Sequence, residues 1–305
     1  MAKFLRSVAT ATTLGAALLV LGIEVIAPHM PPYAGPPDLR ASRSLTLPRA
    51  QTVHLDNSDG AIRILTTADA REVEVEVEIK MYALNKRADL PALERYLETL
   101  VRTQSDADDL VITTEPLKRP ESMALQVTYT VRVPQGTHID ITGSNGNIWV
   151  AEGCGEVRVH SGNADIEILK PRGAVIAQST NGRIRVVDAR KSTTLQTVNG
   201  NIQAEVLDGI LEASSINGSI KTRVLDPAVS GCVLSSENGG IEVLLGRDVS
   251  FTVDATARRG SVHSDFDVDG AGGRRTTRTL RGTVGDGGTK LNLSTGNGNI
   301  RLARG

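Results

Sequence analysis

From Asn145 onward the chain alternates apolar and polar residues in short runs that return on a fixed period. Each run carries the pattern small polar residue, any residue, Asn, Gly, any residue, Ile. Counted from that last position, the copies fall at Ile148, Ile166, Ile184, Ile202, Ile220, Ile241, Val262 and Ile300. The first four steps are 18 residues long, the next two 21 and the last 38. Apolar or small residues recur two positions after this zero (Val150, Ile168, Val186, Ala204, Thr222, Val243, Ser264, Leu302). They recur again nine before it (Ile139, Val157, Val175, Thr193, Leu211, Cys232, Val253, Leu291) and seven before it (Ile141, Val159, Ala177, Leu195, Ala213, Leu234, Ala255, Leu293). Each unit therefore predicts two short strands with period-two alternation. The extra residues of the longer units fall between these columns, as loop insertions.

Between the two strands stands Asn145, Asn163, Asn181, Asn199, Asn217, Asn238, Arg259 or Asn297. Glycine follows in most copies: Gly146, Gly182, Gly200, Gly218, Gly239, Gly260 and Gly298. Asn-Gly predicts a turn with positive φ, which glycine adopts without steric cost and Asn tolerates best among the others. Two architectures accommodate such a unit: a meander of antiparallel hairpins, or a mainly β fold in which each unit is one coil of a β-solenoid of about eight coils. Like residues at like columns favour the solenoid, because parallel in-register stacking demands that repetition. A column of small residues five before the zero (Ser161, Ser179, Thr197, Ser215, Ser236, Thr295) suits a hydroxyl ladder near the turn. Aromatics at 3% fit a thin core between two close sheets, and turns account for the 30 glycines.

Residues 136–305 hold the repeat, and residues 40–135 read as an α/β cap segment over its first coil. There, Gln51–Asp56 and Ala61–Leu65 flank an Asn-Ser-Asp-Gly turn that looks like one degenerate repeat. Glu72–Lys80 alternates strictly between acidic and apolar residues, a strand with one solvated face. Leu90–Thr103 carries Leu93, Leu97 and Leu100 at helical spacing. At the N-terminus, Lys3 and Arg6 precede an uncharged run from Val8 to Ile23, and a Pro-rich linker spans 28–39. Residues 1–27 are thus expected to be a cleaved signal peptide or an N-terminal membrane anchor. Either places the remainder outside the cytoplasm, in the periplasm or at the cell surface.

The charge balance, 34 basic against 35 acidic residues, gives no footprint for nucleic acid. The outward residues after each zero (Trp149, Glu167, Arg185, Gln203, Lys221, Glu242, His263, Arg301) read as register devices. Stacking would pair Glu167 with Arg185 and Lys221 with Glu242. Cys154 and Cys232 fall four coils apart, on the order of 19 Å at strand spacing, beyond disulfide reach. Asp265, Asp267, Asp269 and Gly270 resemble the start of a calcium loop, but Thr276 stands where the bidentate Glu belongs. The five histidines are dispersed, and no HExxH or GxSxG pattern occurs. No catalytic residue, cofactor or metal site is expected. The insertion Phe266 to Lys290 combines glycine with Arg274, Arg275, Arg278 and Arg281, a candidate contact loop for an anionic glycan or lipid head group. The same insertion, through Val268, Leu280 and Val284, is expected to cap the last coil, whose strands would otherwise present an unpaired edge. A monomer is expected on that basis, with edge-mediated self-association as the alternative.

The strings Tyr129–Val150 (YTVRVPQGTHIDITGSNGNIWV) and Leu280–Leu302 (LRGTVGDGGTKLNLSTGNGNIRL) resemble a bacterial family, the putative adhesins, an exported β-strand-repeat domain of unknown function. The resemblance covers roughly residues 50 to 305. It implies a non-enzymatic envelope or cell-surface module that binds a glycan, lipid head group or protein, or scaffolds, through its solenoid surface. It carries no catalytic residues. The alternatives are a membrane-tethered sensor or accessory protein of an envelope-stress system, and a glycan-active solenoid enzyme.

Overall fold

The computed structural model describes residues 22–25, 37, 39–83, 99–115, 123–269 and 277–305. Among them, strands form one 13-stranded and one 12-stranded sheet. Each repeat gives one strand to each sheet, and successive repeats pair in parallel with the predicted columns in register. In the first sheet Ile148 lies beside Ile166, Ile166 beside Ile184, Ile184 beside Ile202, and so on to Ile241. In the second, Ile139, Val157, Val175, Thr193, Leu211 and Cys232 form one row. Parallel pairing excludes the hairpin meander. The zero, plus-two, minus-seven and minus-nine columns of the coils from Ile148 to Ile241 are buried between the sheets. Burial of an Ile or Val side chain contributes about 1.5–3 kcal/mol, so this thin core is the main source of cohesion.

The degenerate repeat before the main run forms a coil of its own. Thr52–Asp59 and Ile62–Thr67 stack in register on the first full unit, with Val53 beside Ile139 and Ile62 beside Ile148. Beyond this coil the first sheet continues through Met123–Pro134, Glu72–Ala83, Leu39–Pro48 and Gly22–Val25, and the second through Asp109–Thr114 and Val101–Ser105. Val73, Val75, Val77 and Ile79 are buried, so the acidic face of Glu72–Lys80 points outward as expected. The expected α/β cap is corrected here: its described part is a continuation of both sheets. Thr99 and Leu100 are helical, whereas Val101–Ser105, where the predicted helix was to end, is strand paired with Asp109–Thr114. The rest of that helix lies outside the described residues, as do most of the N-terminal apolar run and of the Pro-rich linker. No helix among the described residues is long and apolar enough to cross a membrane.

At the other end the chain leaves sequence order. The last unit, Thr289–Thr295 with Ile300–Arg304, does not form the outermost coil. It lies between the Ile241 coil and the Val262 coil, with Cys232 beside Leu291, Val253 also beside Leu291, and Ile300 between Ile241 and Val262. The exposed edge expected on the last unit therefore belongs to the Val262 unit. Thr279–Val284, from the insertion, pairs antiparallel with Phe251–Ala257 and covers that edge in the second sheet. Phe266 packs edge-on against Phe251 at a ring separation of 5.2 Å, with the Arg304 guanidinium 4.9 Å from the Phe266 centroid.

The turns correct the expected backbone geometry. Among the Asn-Gly glycines only Gly146 has φ in the left-handed region, at 120°. At the others the constraint is proximity: a Cβ on Gly200 would lie 1.9 Å from the Gly182 carbonyl oxygen, and one on Gly218 1.8 Å from that of Gly200. The same carbonyls accept the column of hydroxyls. Ser179, Thr197, Ser215, Ser236 and Thr295 donate to Ala164, Gly182, Gly200, Gly218 and Gly239 at 2.7 to 3.1 Å. Each turn thus aims its carbonyl into the next turn, leaving room only for a glycine. The exception fits: where Gly146 takes the left-handed conformation, the Ser161 hydroxyl above it is buried without a partner among the described residues, and position 164 carries an alanine.

Gly200→Ala and Gly200→Asn are both expected to lower stability by about 1–3 kcal/mol in thermal or urea unfolding, because either adds a Cβ against a fixed carbonyl. A Gly200→Asn protein that melts like the parent would return the left-handed explanation. Removing residues 288–305 should strip partners from both the Ile241 and Val262 coils, yielding aggregation or a collapsed melting transition. A monomeric truncation of unchanged stability by light scattering and calorimetry would refute the inserted position of this unit.

Candidate functional site

The Asn residues singled out in the sequence are consumed by the fold. Asn163, Asn181, Asn199 and Asn217 each donate Nδ2 to Oδ1 of the preceding Asn at 2.7 Å. Asn238 donates to Asn217 at 2.9 Å, Asn297 to Asn238 at 2.7 Å, and at the other end Asn145 donates to the Asp59 carboxylate at 2.8 Å. Their amides serve one another, so this face is a structural ladder. The candidate contact loop is only partly described. Arg281 Nε donates to Asp254 at 2.9 Å, the Arg278 carbonyl accepts from Ala257, and Arg274 and Arg275 lie outside the described residues. Asp265 faces His263 and Arg301 at 3.3 and 3.6 Å, and Asp269 exchanges backbone hydrogen bonds with Thr283, so the calcium-like string closes the coil end. Among the described residues no three His, Cys, Asp or Glu side chains converge as metal ligands. Cys154 and Cys232 are free and buried, and burial pushes both thiols up to about 12.

The outer face of the first sheet holds the concave feature that sequence reading missed. Alternation points the zero column inward and the residues on either side of it outward. In the Ile148 coil the outward residue is Trp149, the sole tryptophan of the chain. Parallel pairing sets Arg63 on one side of it and Glu167 on the other, with Arg185 beyond Glu167 and Thr130 beyond Arg63. The residues preceding each zero add Ala61, Asn147, Asp165 and Arg183. Together with Leu65, Glu76 and Arg132 these enclose an open groove of about 890 Å³.

Its electrostatics follow from the pairings. Arg132 Nη1 donates to Glu76 Oε1 at 2.8 Å, Arg183 meets Asp165 at 3.3 Å, and Arg185 donates to Glu167. All three pairs are partly exposed, so each contributes at most about 1 kcal/mol and fixes side-chain position more than stability. Four arginines and three carboxylates line the groove. Arg63 is the one left without an ionic partner among the described residues. Trp149 is half-buried, and within the same residues it makes no hydrogen bond, ring stack or cation–π contact. A half-buried apolar ring flanked by planar donors and acceptors is suited to bind a ligand. The only sequence signal was that a tryptophan occupied an outward column otherwise filled by charged and polar residues. Reading that column as register devices accounts for Glu167 with Arg185 and for Lys221 with Glu242, 2.8 Å apart, but not for Trp149.

No protein-family model matches the chain, and no curated protein does. Solved structures do. A putative adhesin from Bacteroides fragilis NCTC 9343 is similar over 90% of this chain and 100% of its own, with 14% identity and a TM-score of 0.51. A putative lipid binding protein from Parabacteroides distasonis ATCC 8503 covers 86% of this chain and 96% of its own, at 12% identity and a TM-score of 0.48. A putative adhesin from the same organism has the same coverage, at 10% identity and a TM-score of 0.43. At such identities the likeness is one of fold. The chain has the mainly β, solenoid-like fold of the Bacteroides fragilis protein, whose description as a putative adhesin is consistent with the family that the sequence resembles.

Proposed function

We propose that this chain is a non-enzymatic binding module of the bacterial envelope, exported by its N-terminal segment and presenting the outer face of its first sheet to a ligand. The observation that carries this reading is the groove around Trp149, a preformed concavity with an aromatic ring and a cation that have no partner among the described residues. The basic start and uncharged run of residues 1–27 support export, and the shared fold with a putative adhesin accords with a surface role. Each of the three groove carboxylates is held in an ion pair with an arginine, an arrangement that favours binding over turnover.

Export is testable with the chain's own chemistry. Both native thiols are buried and held protonated, so they give little background toward maleimides. Gln203 is exposed on the outward column. A Gln203→Cys protein should react with a membrane-impermeant maleimide in intact cells if it reaches the surface, or after permeabilising the outer barrier alone if it is periplasmic. Labelling only after full lysis would overturn the export reading.

A further inference from the structure

Arg63 and Trp149 are cross-strand partners on adjacent coils, so they stand one strand spacing apart, about 4.8 Å, on the same face. The indole offers a flat apolar surface with an N–H at its rim, and the guanidinium offers a planar fork of donors that meets no carboxylate among the described residues. On the far side of Trp149, the Arg185–Glu167 and Arg183–Asp165 pairs present donors and acceptors together. That combination discriminates among ligand classes. A nucleic acid backbone would meet Glu76, Asp165 and Glu167 along the groove, and a net lining charge of one cation cannot offset successive phosphates. An acyl chain would lie against seven charged side chains and a single ring. An extended peptide would find no free backbone edge, because every strand beneath the groove is paired on both sides. A pyranose ring has the matching surface: an axial C–H face for the indole, and equatorial hydroxyls that both donate and accept.

We propose that the groove around Trp149 binds an acidic saccharide, with a sugar ring stacked on the indole and its carboxylate received by Arg63. The Arg183–Asp165 and Arg185–Glu167 pairs then contact hydroxyls of the same or the next ring. Arg63 sets the preference for an anionic over a neutral sugar, because binding supplies the ionic partner it lacks among the described residues, whereas the other three arginines already have theirs. This inference rests on the reading of the chain as an exported binding module and names the ligand class of that site.

The single tryptophan makes the test direct, since emission of the full-length protein excited selectively at tryptophan, away from the tyrosine band, reports on this groove alone. The probes are trigalacturonate, a hyaluronan hexasaccharide and sialyllactose, each against its uncharged counterpart: the methyl esters for the first two and lactose for the third. At least one acidic probe should shift Trp149 emission saturably and bind about tenfold more tightly than its counterpart, as one charge-assisted contact predicts. By calorimetry, Trp149→Ala should abolish binding of both forms. Arg63→Ala should weaken the acidic form about tenfold and leave the neutral form unchanged. Lys221→Ala, on the same outward row but beyond the groove, should bind like the parent. All three variants should keep the parental melting temperature, which separates lost binding from lost folding. The proposal is overturned if no acidic probe shifts the emission, if Trp149→Ala binds as the parent does, or if Arg63→Ala weakens both forms equally. An equal response to sodium sulfate or to phosphatidylglycerol vesicles would also overturn it, pointing to an anion or membrane site. Any of these failures leaves the export reading untouched, because Gln203→Cys labelling decides that separately.

Discussion

Each coil of this protein can satisfy its backbone only by lying flat and in register on the next one. A unit of 18 residues holds two strands too short and too narrow to form a core alone, so its amide and carbonyl groups go to the coils above and below. At strand spacing, anything protruding at the turn is intolerable, which is why the turn carbonyl of one coil, the glycine of the next and the hydroxyl beside it form a single device. The buried Ile and Val columns supply the cohesion, whereas the turn chemistry selects one register over its neighbours. A slip of one residue would turn every apolar side chain outward and drive a Cβ into a carbonyl.

A stack held together this way has two ends to protect, and the chain treats them differently. At the N-terminal end the first sheet runs on into strands of 10 and 12 residues and the second into two short ones, and the hydroxyl column closes on a buried polar cluster. Asn57 stands there in place of the serine or threonine, donating to the Gly60 and Val127 carbonyls and accepting from Thr114, which is 2.7 Å from the Tyr129 hydroxyl. Burial pushes the Tyr129 phenol up to about 12, so it stays a neutral hydrogen-bonding group. The Asn ladder begins there on the Asp59 carboxylate, at the end toward which its N–H groups point. At the other end its column terminates in Arg259 of the outermost coil, a basic residue where the ladder's oxygens face. The insertion of the last unit between two earlier coils removes its own strands from the edge and leaves a short antiparallel strand as cover.

With register carried by interior and turns, the outward columns are free to carry chemistry. Along most of the first sheet they hold complementary charges such as Lys221 with Glu242 and Arg223 with Glu205. Over the first coils, the same row changes character at Trp149 and Arg63. Function on such a scaffold lies in a few outward positions, which can be altered without disturbing the stack beneath them.

The repeat made the solenoid, its inward columns, the hydroxyl ladder and the extra coil at Ile62 legible in the sequence, because stacking like on like writes the contact pattern directly into the period. Charge pairs one coil apart were legible for the same reason. Three things were decided only by tertiary structure. The glycines read as left-handed turns, since proximity to a carbonyl and positive φ both select glycine and only coordinates tell them apart. The order of the last two coils was unreadable, because every unit carries the same columns and so fits beside any other; a 38-residue step records an insertion and not where the chain returns. The groove was hidden because its walls come from residues 61 to 185. Arg63, Thr130 and Trp149 are far apart in sequence and become neighbours only when three separate strands pair side by side.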